Sequence, residues 1–246
     1  MRNIKLTVEY DGTDFCGWQR QAGDRTVQEA IERSLSLLTE ETVKVTAAGR
    51  TDSGVHAIGQ VINFKTESRL PLEAFVRGGN SRLPKDVRIL KAEEMPLDFS
   101  ARYSAVARVY RYYISDRPSA VGRQYAWHYW RPLALEKLRE FCPILLGEHD
   151  FKSFCQSGAD VDHFICNVRW AWWQRSETGL VFEICANRFL HAMVRILVGT
   201  MVDLVKDEKG PNELFRILEA RDRRAAGPTA PACGLFLVRV FYPNDQ

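Results

Sequence analysis

Asp52 and Arg50 stand two residues apart in the segment Gly49–Ala57 (GRTDSGVHA), and their side chains are of the types that carry out covalent chemistry. An ionised carboxylate can act as a nucleophile, and a nearby guanidinium lowers the pKa of a carboxyl group. Because one pKa unit corresponds to about 1.4 kcal/mol, a single close arginine can decide the protonation state of such a group. We expect Arg50 to be the local partner of Asp52 and Arg195 a distant one.

The connection that carries Asp52 is long for a link between two neighbouring strands. Strands are predicted over 43–48 and 60–65, and the connection runs from Arg50 to about Ile58, whereas hairpin loops usually take about two to five residues. Long loops often carry function. Asp and Gly are also the commonest turn residues, however, so on spacing alone an ordinary turn is the better-supported interpretation of Asp52.

A second carboxylate is missing from this part of the chain. Glycosidases of the retaining and inverting types need two acidic residues on opposite sides of the bond that breaks. No acidic residue lies between Asp52 and Glu67. A nucleoside-processing hydrolase is therefore a weaker hypothesis, although a distant carboxylate could fold into the site.

The basic residues are concentrated in one window, 102–139. The 246-residue chain has a formal net charge of +3, but this window holds eight basic and two acidic residues and so carries +6. The window also contains eight Tyr and Trp residues. Arginines among aromatic residues are typical of RNA recognition by phosphate contact and base stacking. A strand with aromatics in the core and arginines in solvent would give the same pattern, so both interpretations stay open.

The order of predicted elements indicates an α+β fold with two ferredoxin-like halves. In the first half, strands at 4–10, 43–48, 60–65 and 87–92 and helices at 27–38 and 71–80 follow the order β-α-β-β-α-β. Thr26 and Glu29 form a predicted capping box for the first helix. The second half repeats the order, with strands at 106–115, 166–175, 180–186 and 235–241 and helices at 132–141, 188–205 and 212–220. We predict domains at 1–105 and 106–246.

The predicted helix 188–205 carries a narrow polar stripe. Arg188, His191, Arg195 and Gly199 follow at i, i+3, i+7 and i+11, which is one face of a helix. Such a stripe either faces solvent or lines a cleft.

Several classes of protein are disfavoured. The start, MRNIKLTVEY, has no apolar core of a signal peptide. The most apolar stretch, 189–205, is interrupted by charged residues, which argues against a membrane span. The six cysteines are scattered without metal-ligand or disulfide-framework spacing. We therefore expect a soluble cytoplasmic protein with reduced thiols.

Six motifs resemble, in order and at compatible spacing, those of the bacterial tRNA pseudouridine synthase A family. They are Tyr10–Gln21 (YDGTDFCGWQRQ), Gly49–Ala57 (GRTDSGVHA), Gly78–Val87 (GGNSRLPKDV), Asp98–Tyr112 (DFSARYSAVARVYRY), Asn187–Arg195 (NRFLHAMVR) and Ala230–Leu235 (APACGL). The resemblance covers essentially the whole chain. Two residues depart from the family pattern: Ser100 stands where many relatives carry His, and Ala192 where several have a second His after His191. We interpret both as tolerated substitutions.

The resemblance implies a role for five residues. Asp52 would be the catalytic nucleophile, and Arg50 would take the place vacated by the flipped uridine. Tyr110 would stack on the target uracil, Arg195 would pair with the Asp52 carboxylate, and Leu235 would line the uracil pocket.

The same resemblance implies a substrate, a fold and an assembly. The family isomerises uridine to pseudouridine at positions 38, 39 and 40 of the tRNA anticodon stem-loop, with no metal or organic cofactor. Its fold joins two ferredoxin-like halves in a continuous sheet with a central cleft, and it works as a homodimer. The loop 156–162 and the aromatic stretch 125–130 do not resemble a motif of the family, so the residues that bind the tRNA body are not predicted.

A non-catalytic RNA-binding module is the main alternative, but it does not explain a long loop with Asp52 beside Arg50.

Overall fold

Hydrogen-bonded strands with flanking helices make up both halves of the chain in the computed structural model, which describes residues 1–158 and 162–243. Unit 1 comprises Met1–Val106 together with the chain from Phe236 onward, and unit 2 comprises Ala107–Leu235. The domains at 1–105 and 106–246 stay a prediction. Within the predicted loop 156–162, residues 159–161 lie outside the described residues.

Unit 1 contains the predicted β-α-β-β-α-β order. Its elements are β1 (Arg2–Tyr10), α1 (Val27–Thr39), β2 (Thr46–Ala47), β3 (His56–Thr66), α2 (Leu72–Asn80) and β4 (Val87–Met95). β1 pairs antiparallel with both β3 and β4, and β2 pairs antiparallel with β3. The last strand, β10 (Leu235–Phe241), pairs parallel with β3 where Phe236 and Leu237 face His56 and Ala57.

The core of unit 1 follows from alternation along its strands. Ile4, Leu6 and Val8 of β1 are fully buried, as expected when every second side chain points to the same face of a sheet. Phe64 of β3 meets Phe75 of α2 edge-on, with ring centroids 5.7 Å apart. The sheet and α2 therefore share one apolar core in unit 1.

The strand predicted over 43–48 is wrong in length, because only Thr46–Ala47 pair as a strand. The backbone N–H of Val43 donates to the Ser36 hydroxyl at 3.0 Å, and that of Val45 donates to the Glu32 carboxylate at 3.0 Å. Side chains of α1 thus satisfy the donors that a strand would use, and β-branched residues there do not imply pairing.

The predicted capping box is also wrong. Thr26 is the N-cap residue of α1, but its side chain makes no capping hydrogen bond. Thr26 is buried and its hydroxyl has no hydrogen-bond partner among the described residues, while Glu29 lies 3.4 Å from the Arg20 guanidinium. The first hydrogen bond of the helix is the one that the Thr26 carbonyl accepts from the Ala30 N–H at 3.2 Å.

Unit 2 is built mainly on antiparallel strands. Its elements are β5 (Ala107–Ser115), β6 (Trp127–His128), α3 (Leu135–Glu140), α4 (Cys142–Leu145), β7 (Gly147–Asp150), β8 (Ile165–Ser176), β9 (Gly179–Ala186), α5 (Met193–Lys206) and α6 (Pro211–Ala220). The strand order is β5-β9-β8-β7, and β6 pairs parallel with β5. The predicted α+β class is confirmed, and the predicted hairpin is β8–β9.

The helix predicted over 132–141 is shorter, Leu135–Glu140 (α3), and a second short helix, α4, follows it at Cys142. Phe141 lies between them, and Pro143 occupies the first turn of α4. A proline there has no N–H to satisfy and starts the second helix at little cost.

The helix predicted from 188 begins five residues later, at Met193. Ala192 has φ 58°, a left-handed conformation that a right-handed helix does not pass through. Arg188 and His191 therefore precede the helix, and the His191 carbonyl accepts a hydrogen bond from the Gln156 N–H at 3.0 Å. The basic stripe on one helix face is wrong; only Arg195 and Gly199 share a face of α5.

Gly199 is a packing residue and not part of a polar stripe. A Cβ added there would lie 1.9 Å from the Pro228 carbonyl oxygen. The backbone of 227–230 therefore runs directly against α5, and Gly227 in turn would place a Cβ 2.9 Å from Thr200 Cα. No helix in the described part of the chain is both long and apolar enough to cross a membrane.

We expect Gly199→Ala to lower the free energy of unfolding by about 1–3 kcal/mol, because a methyl group here must displace backbone. Gly210→Ala is the control, since a Cβ at Gly210 meets nothing within 4 Å, and its change should stay below about 1 kcal/mol. Urea denaturation of the two variants measures the difference. Equal midpoints would contradict the close approach of 227–230 to α5.

Candidate active site

The loop that carries Asp52 spans Ala48–Val55, between β2 and β3. Hydrogen bonds hold its first residues: the Ala48 N–H donates to the Val61 carbonyl at 2.9 Å, and the Gln60 side chain donates to the Gly49 carbonyl at 2.7 Å. The loop is thus tied to β3 before it reaches Asp52.

Asp52 is the first residue of a turn, and its backbone carbonyl accepts the hydrogen bond that closes the turn. The Val55 N–H donates to the Asp52 carbonyl at 3.2 Å, and Gly54 supplies the positive φ of 75°, which glycine adopts without strain. The turn interpretation is therefore correct for the backbone of residues 52–55. It leaves a role for the carboxylate open, because the backbone carbonyl makes the turn hydrogen bond.

Thr51 is the residue by which the loop is anchored. Its side chain is buried, and its hydroxyl lies 2.8 Å from the Tyr10 phenol. Its carbonyl accepts from the Trp18 N–H at 3.0 Å. With Thr51 held from both its side chain and its main chain, Arg50 and Asp52 lie on either side of a fixed point. Arg50 is exposed and Asp52 is half-buried.

A second segment, residues 10–18, lies along the loop and supplies these contacts. Besides Tyr10 and Trp18, it provides the Phe15 carbonyl, which accepts from the Ser53 hydroxyl at 3.2 Å and from the Gly54 N–H at 3.3 Å. Residues 10–18 thus contact the loop on both sides of Asp52. We call this arrangement of residues 10–18 on residues 48–55 the loop clamp.

Two glycines allow the loop clamp to close. A Cβ at Gly12 would lie 2.0 Å from the Val55 carbonyl oxygen. A Cβ at Gly17 would lie 2.9 Å from the Thr51 carbonyl oxygen and 3.1 Å from the Asp52 carbonyl carbon, and Gly17 also has φ +89°. Two backbones approach each other here more closely than a side chain permits.

His56 joins the end of the loop to the start of residues 10–18. Its ring is buried, and Nδ1 accepts from the Gly12 N–H at 3.0 Å and lies 3.1 Å from the Asp11 carboxylate. The same ring stacks on Phe236 of β10, with centroids 4.6 Å apart. His56 therefore packs as a structural part of unit 1 while its Nδ1 holds the backbone at Gly12.

Burial in the loop clamp raises the pKa of Tyr10 to about 12, and hydrogen bonds from Thr51 and Gln60 only partly oppose this effect. The phenol is therefore neutral near pH 7. It forms a hydrogen bond with Thr51, the residue before Asp52, without adding a negative charge.

In unit 2, Tyr110 lies on β5 opposite Ile184 of β9. Its ring is buried and meets Phe189 edge-on, with centroids 4.9 Å apart and an interplanar angle of 79°. Phe189 belongs to the irregular segment before α5, so that segment contacts the Tyr110 ring.

Arg195 lies in the first turn of α5 and is half-buried. Its Nε donates to the Ala230 carbonyl at 2.9 Å, and the Ala230 N–H donates back to the Arg195 carbonyl at 3.1 Å. Ala230 leads through a short helical turn, Ala232–Gly234, to Leu235, which is buried at the start of β10. The structure thus connects Arg195 and Leu235 through one segment.

The aromatic and basic window divides between core and surface. Tyr112 is fully buried and its phenol donates to the Pro231 carbonyl at 2.7 Å. Arg111 pairs with Glu183 at 2.6 Å, and the Trp170 indole donates to the same carboxylate at 3.0 Å. Tyr103 and Trp130, by contrast, are 79 % and 71 % exposed. The core interpretation is therefore correct for Tyr112, while RNA contact by the exposed aromatic and basic residues stays a prediction.

Asp52 and Arg50 are predicted from the sequence, but the residues that position their loop are not. Those residues, Tyr10, Thr51 and His56, lie inside two of the motifs that resemble the family, and this position was the signal that could have identified them. Their partners are far away in the sequence; Tyr10 and Thr51, for example, are 41 residues apart.

Comparison with known proteins identifies the family. A family described as tRNA pseudouridine synthase matches residues 6–104 and 142–243. Those ranges contain Arg50, Asp52, Arg195 and Leu235, whereas Tyr110 lies between them.

Named relatives agree along the whole chain. The tRNA pseudouridine synthase A of Chlorobium luteolum is 45 % identical over 246 residues, covering 100 % of this chain and 97 % of the relative. That of Bacillus pumilus is 44 % identical, covering 98 % and 99 % of the two chains. That of Caldicellulosiruptor bescii is 43 % identical, covering 98 % and 100 %. With Asp52 held in a clamped loop inside the matched range, the chain belongs to the tRNA pseudouridine synthase family.

Proposed function

We propose that this protein converts uridine to pseudouridine in the anticodon stem-loop of tRNA, at positions 38, 39 and 40, with Asp52 as the catalytic nucleophile. The observation that carries the proposal is the loop clamp, which fixes the backbone on both sides of Asp52. A group that must meet one atom of a large substrate needs such a fixed backbone.

The reaction explains the residue types. The glycosidic bond between N1 and C1′ breaks, the uracil turns, and C5 bonds to C1′, so substrate and product have the same atoms. The target nucleotide must first leave the stack, which costs a few kcal/mol. Asp52 can take part as an ester with the sugar, as an adduct of the uracil ring or as a base through a glycal, and all three routes use one carboxylate.

The other four residues have supporting roles in the proposal. Arg50 occupies the space left by the flipped uridine and holds the extruded nucleotide; its exposure in the loop supports this. Tyr110 stacks on the uracil, Arg195 pairs with the Asp52 carboxylate and Leu235 lines the uracil pocket. The fixed rings and backbone around Tyr110 and Arg195 support these assignments.

The proposal extends to the assembly and its location. We infer a homodimer that acts on tRNA in the cytoplasm, on the basis of the family resemblance. The excess of basic side chains in the window 102–139 supports a polyanionic substrate.

Asp52→Asn is expected to abolish isomerisation, a loss of more than about 1,000-fold, because an amide is neither nucleophile nor base. Binding of tRNA should persist. Tritium release from tRNA labelled at uracil C5 measures the reaction, and filter binding measures the affinity.

Asp24→Asn is the matched control for this experiment, since Asp24 is exposed and lies outside the loop and residues 10–18. Substantial pseudouridine formation by Asp52→Asn would overturn the assignment of the nucleophile. Abasic RNA from the wild-type protein would instead identify a hydrolase, and unchanged RNA a binding module.

Tyr110→Phe should keep the aromatic face and nearly full activity, whereas Tyr110→Ala should raise KM by about 5- to 100-fold, the range for loss of one base stack. The alanine variant also loses the ring contact with Phe189, so its unfolding midpoint is measured alongside. Wild-type KM in both variants would count against stacking on Tyr110.

A further inference from the structure

Unit 2 has a surface pocket of about 270 Å³ that none of the residues assigned above lines. Ile114 of β5 and Leu180 of β9, which face each other in the sheet, line one part of it. Trp130, Arg131 and Arg175 line another part. Pockets for drug-sized ligands measure about 300–1,000 Å³, so this pocket has room only for a smaller group, the size of one nucleobase or less.

The pocket is separate from the Tyr110 ring. Tyr110 and Ile114 lie on one face of β5, because they are four positions apart and side chains alternate along a strand. At about 3.3 Å per residue, their backbones are about 13 Å apart. A group bound in the pocket is therefore different from a base stacked on Tyr110.

The side chains of the pocket suit a base. Trp130 is 71 % exposed although it is a large apolar residue. The Arg131 guanidinium lies 4.5 Å from the centroid of the Trp130 ring. An exposed indole beside a guanidinium is the combination on which single-stranded nucleic acids stack their bases.

The charges around the pocket suit a phosphate. Residues 116–131 contain three arginines and one acid, Asp116. Arg175 reaches Asp116 at 3.4 Å, and both side chains are more than half exposed. An exposed ion pair of this kind is weak, so Arg175 can exchange its carboxylate for a phosphate of an incoming strand.

We propose that this pocket binds an unstacked nucleotide of the tRNA, other than the isomerised uridine, with its base on Trp130 and its phosphate on Arg131 and Arg175. This inference rests on the proposed function, since it takes tRNA as the substrate. Trp130 and Arg131 lie in the stretch between the two ranges matched by the family. The pocket thus gives the chain a grip on tRNA beyond the residues that act on the target base.

Trp130→Ala should raise both the Kd and the KM for full-length tRNA by about 5- to 100-fold while leaving kcat unchanged. Trp130→Phe should stay within about 3-fold of wild type, because it keeps an aromatic face. Arg131→Gln should lower the slope of log Kd against log salt by about 1, as expected for one lost phosphate contact.

Val121→Ala is the matched control, because Val121 is 89 % exposed in the same stretch and does not line the pocket. Filter binding gives Kd, tritium release gives KM and kcat, and sedimentation gives the mass of each variant. Equal Kd values for Trp130→Ala and Val121→Ala would overturn the inference.

Two further results would also overturn it: a fall in kcat at unchanged KM, or a change of mass in Trp130→Ala, which would place a second copy of the chain on the pocket. A wild-type protein that forms no pseudouridine, yet has a Kd for tRNA that depends on Trp130, would overturn the proposed function and leave the RNA site standing. The two failures are therefore distinguishable.

Discussion

Two stretches of main chain in unit 1 lie closer together than any side chain allows, and the presentation of Asp52 depends on that contact. At Gly12 and Gly17 a Cβ would overlap the backbone of residues 51–55. The approach lets Thr51 reach both Tyr10 and Trp18 and brings the Phe15 carbonyl within reach of residues 53 and 54. A side chain at either glycine would push the two stretches of backbone apart and break these contacts at the same time.

Unit 2 uses the same kind of constraint. Gly199 admits the Pro228 carbonyl to the surface of α5, and four residues earlier Arg195 exchanges hydrogen bonds with Ala230. In both units an irregular segment is held by backbone contact to a regular element. Main-chain contact of this kind positions a side chain more firmly than an exposed ion pair, whose strength is typically below about 1 kcal/mol.

The sequence predicts the regular elements well where burial sets the period. β1 alternates because Ile4, Leu6 and Val8 face the core, and α1 follows its apolar stripe. Predictions fail where local contacts override propensity. Val43 and Val45 give their N–H groups to side chains of α1, and the backbone of Ala192 turns left-handed just before α5. Neither event leaves a pattern in residue type.

Only part of the site is predictable from the sequence, because some of its contacts are local in the chain and others are not. Asp52 and Arg50 are recognisable because their chemistry is local to one motif. The Tyr10–Thr51 pair and the stacking of His56 on Phe236 join residues far apart in the chain, so only the folded chain reveals them. Trp130 was one aromatic among eight in a basic window; its exposure beside Arg131 distinguishes it from the buried Tyr112.

The most direct test of the loop clamp compares Gly17→Ala with Gly23→Ala. Both glycines have positive φ, +89° and +85°, but a Cβ at Gly23 meets nothing within 4 Å while one at Gly17 meets the backbone of residues 51–53. The backbone strain of alanine is therefore matched, about 1–2 kcal/mol in each, and only the contact differs. With kcat for pseudouridine formation measured on folded protein, we predict a loss of at least about 10-fold for Gly17→Ala and near wild-type turnover for Gly23→Ala. Equal kcat values for the two variants would contradict the claim that this contact positions Asp52.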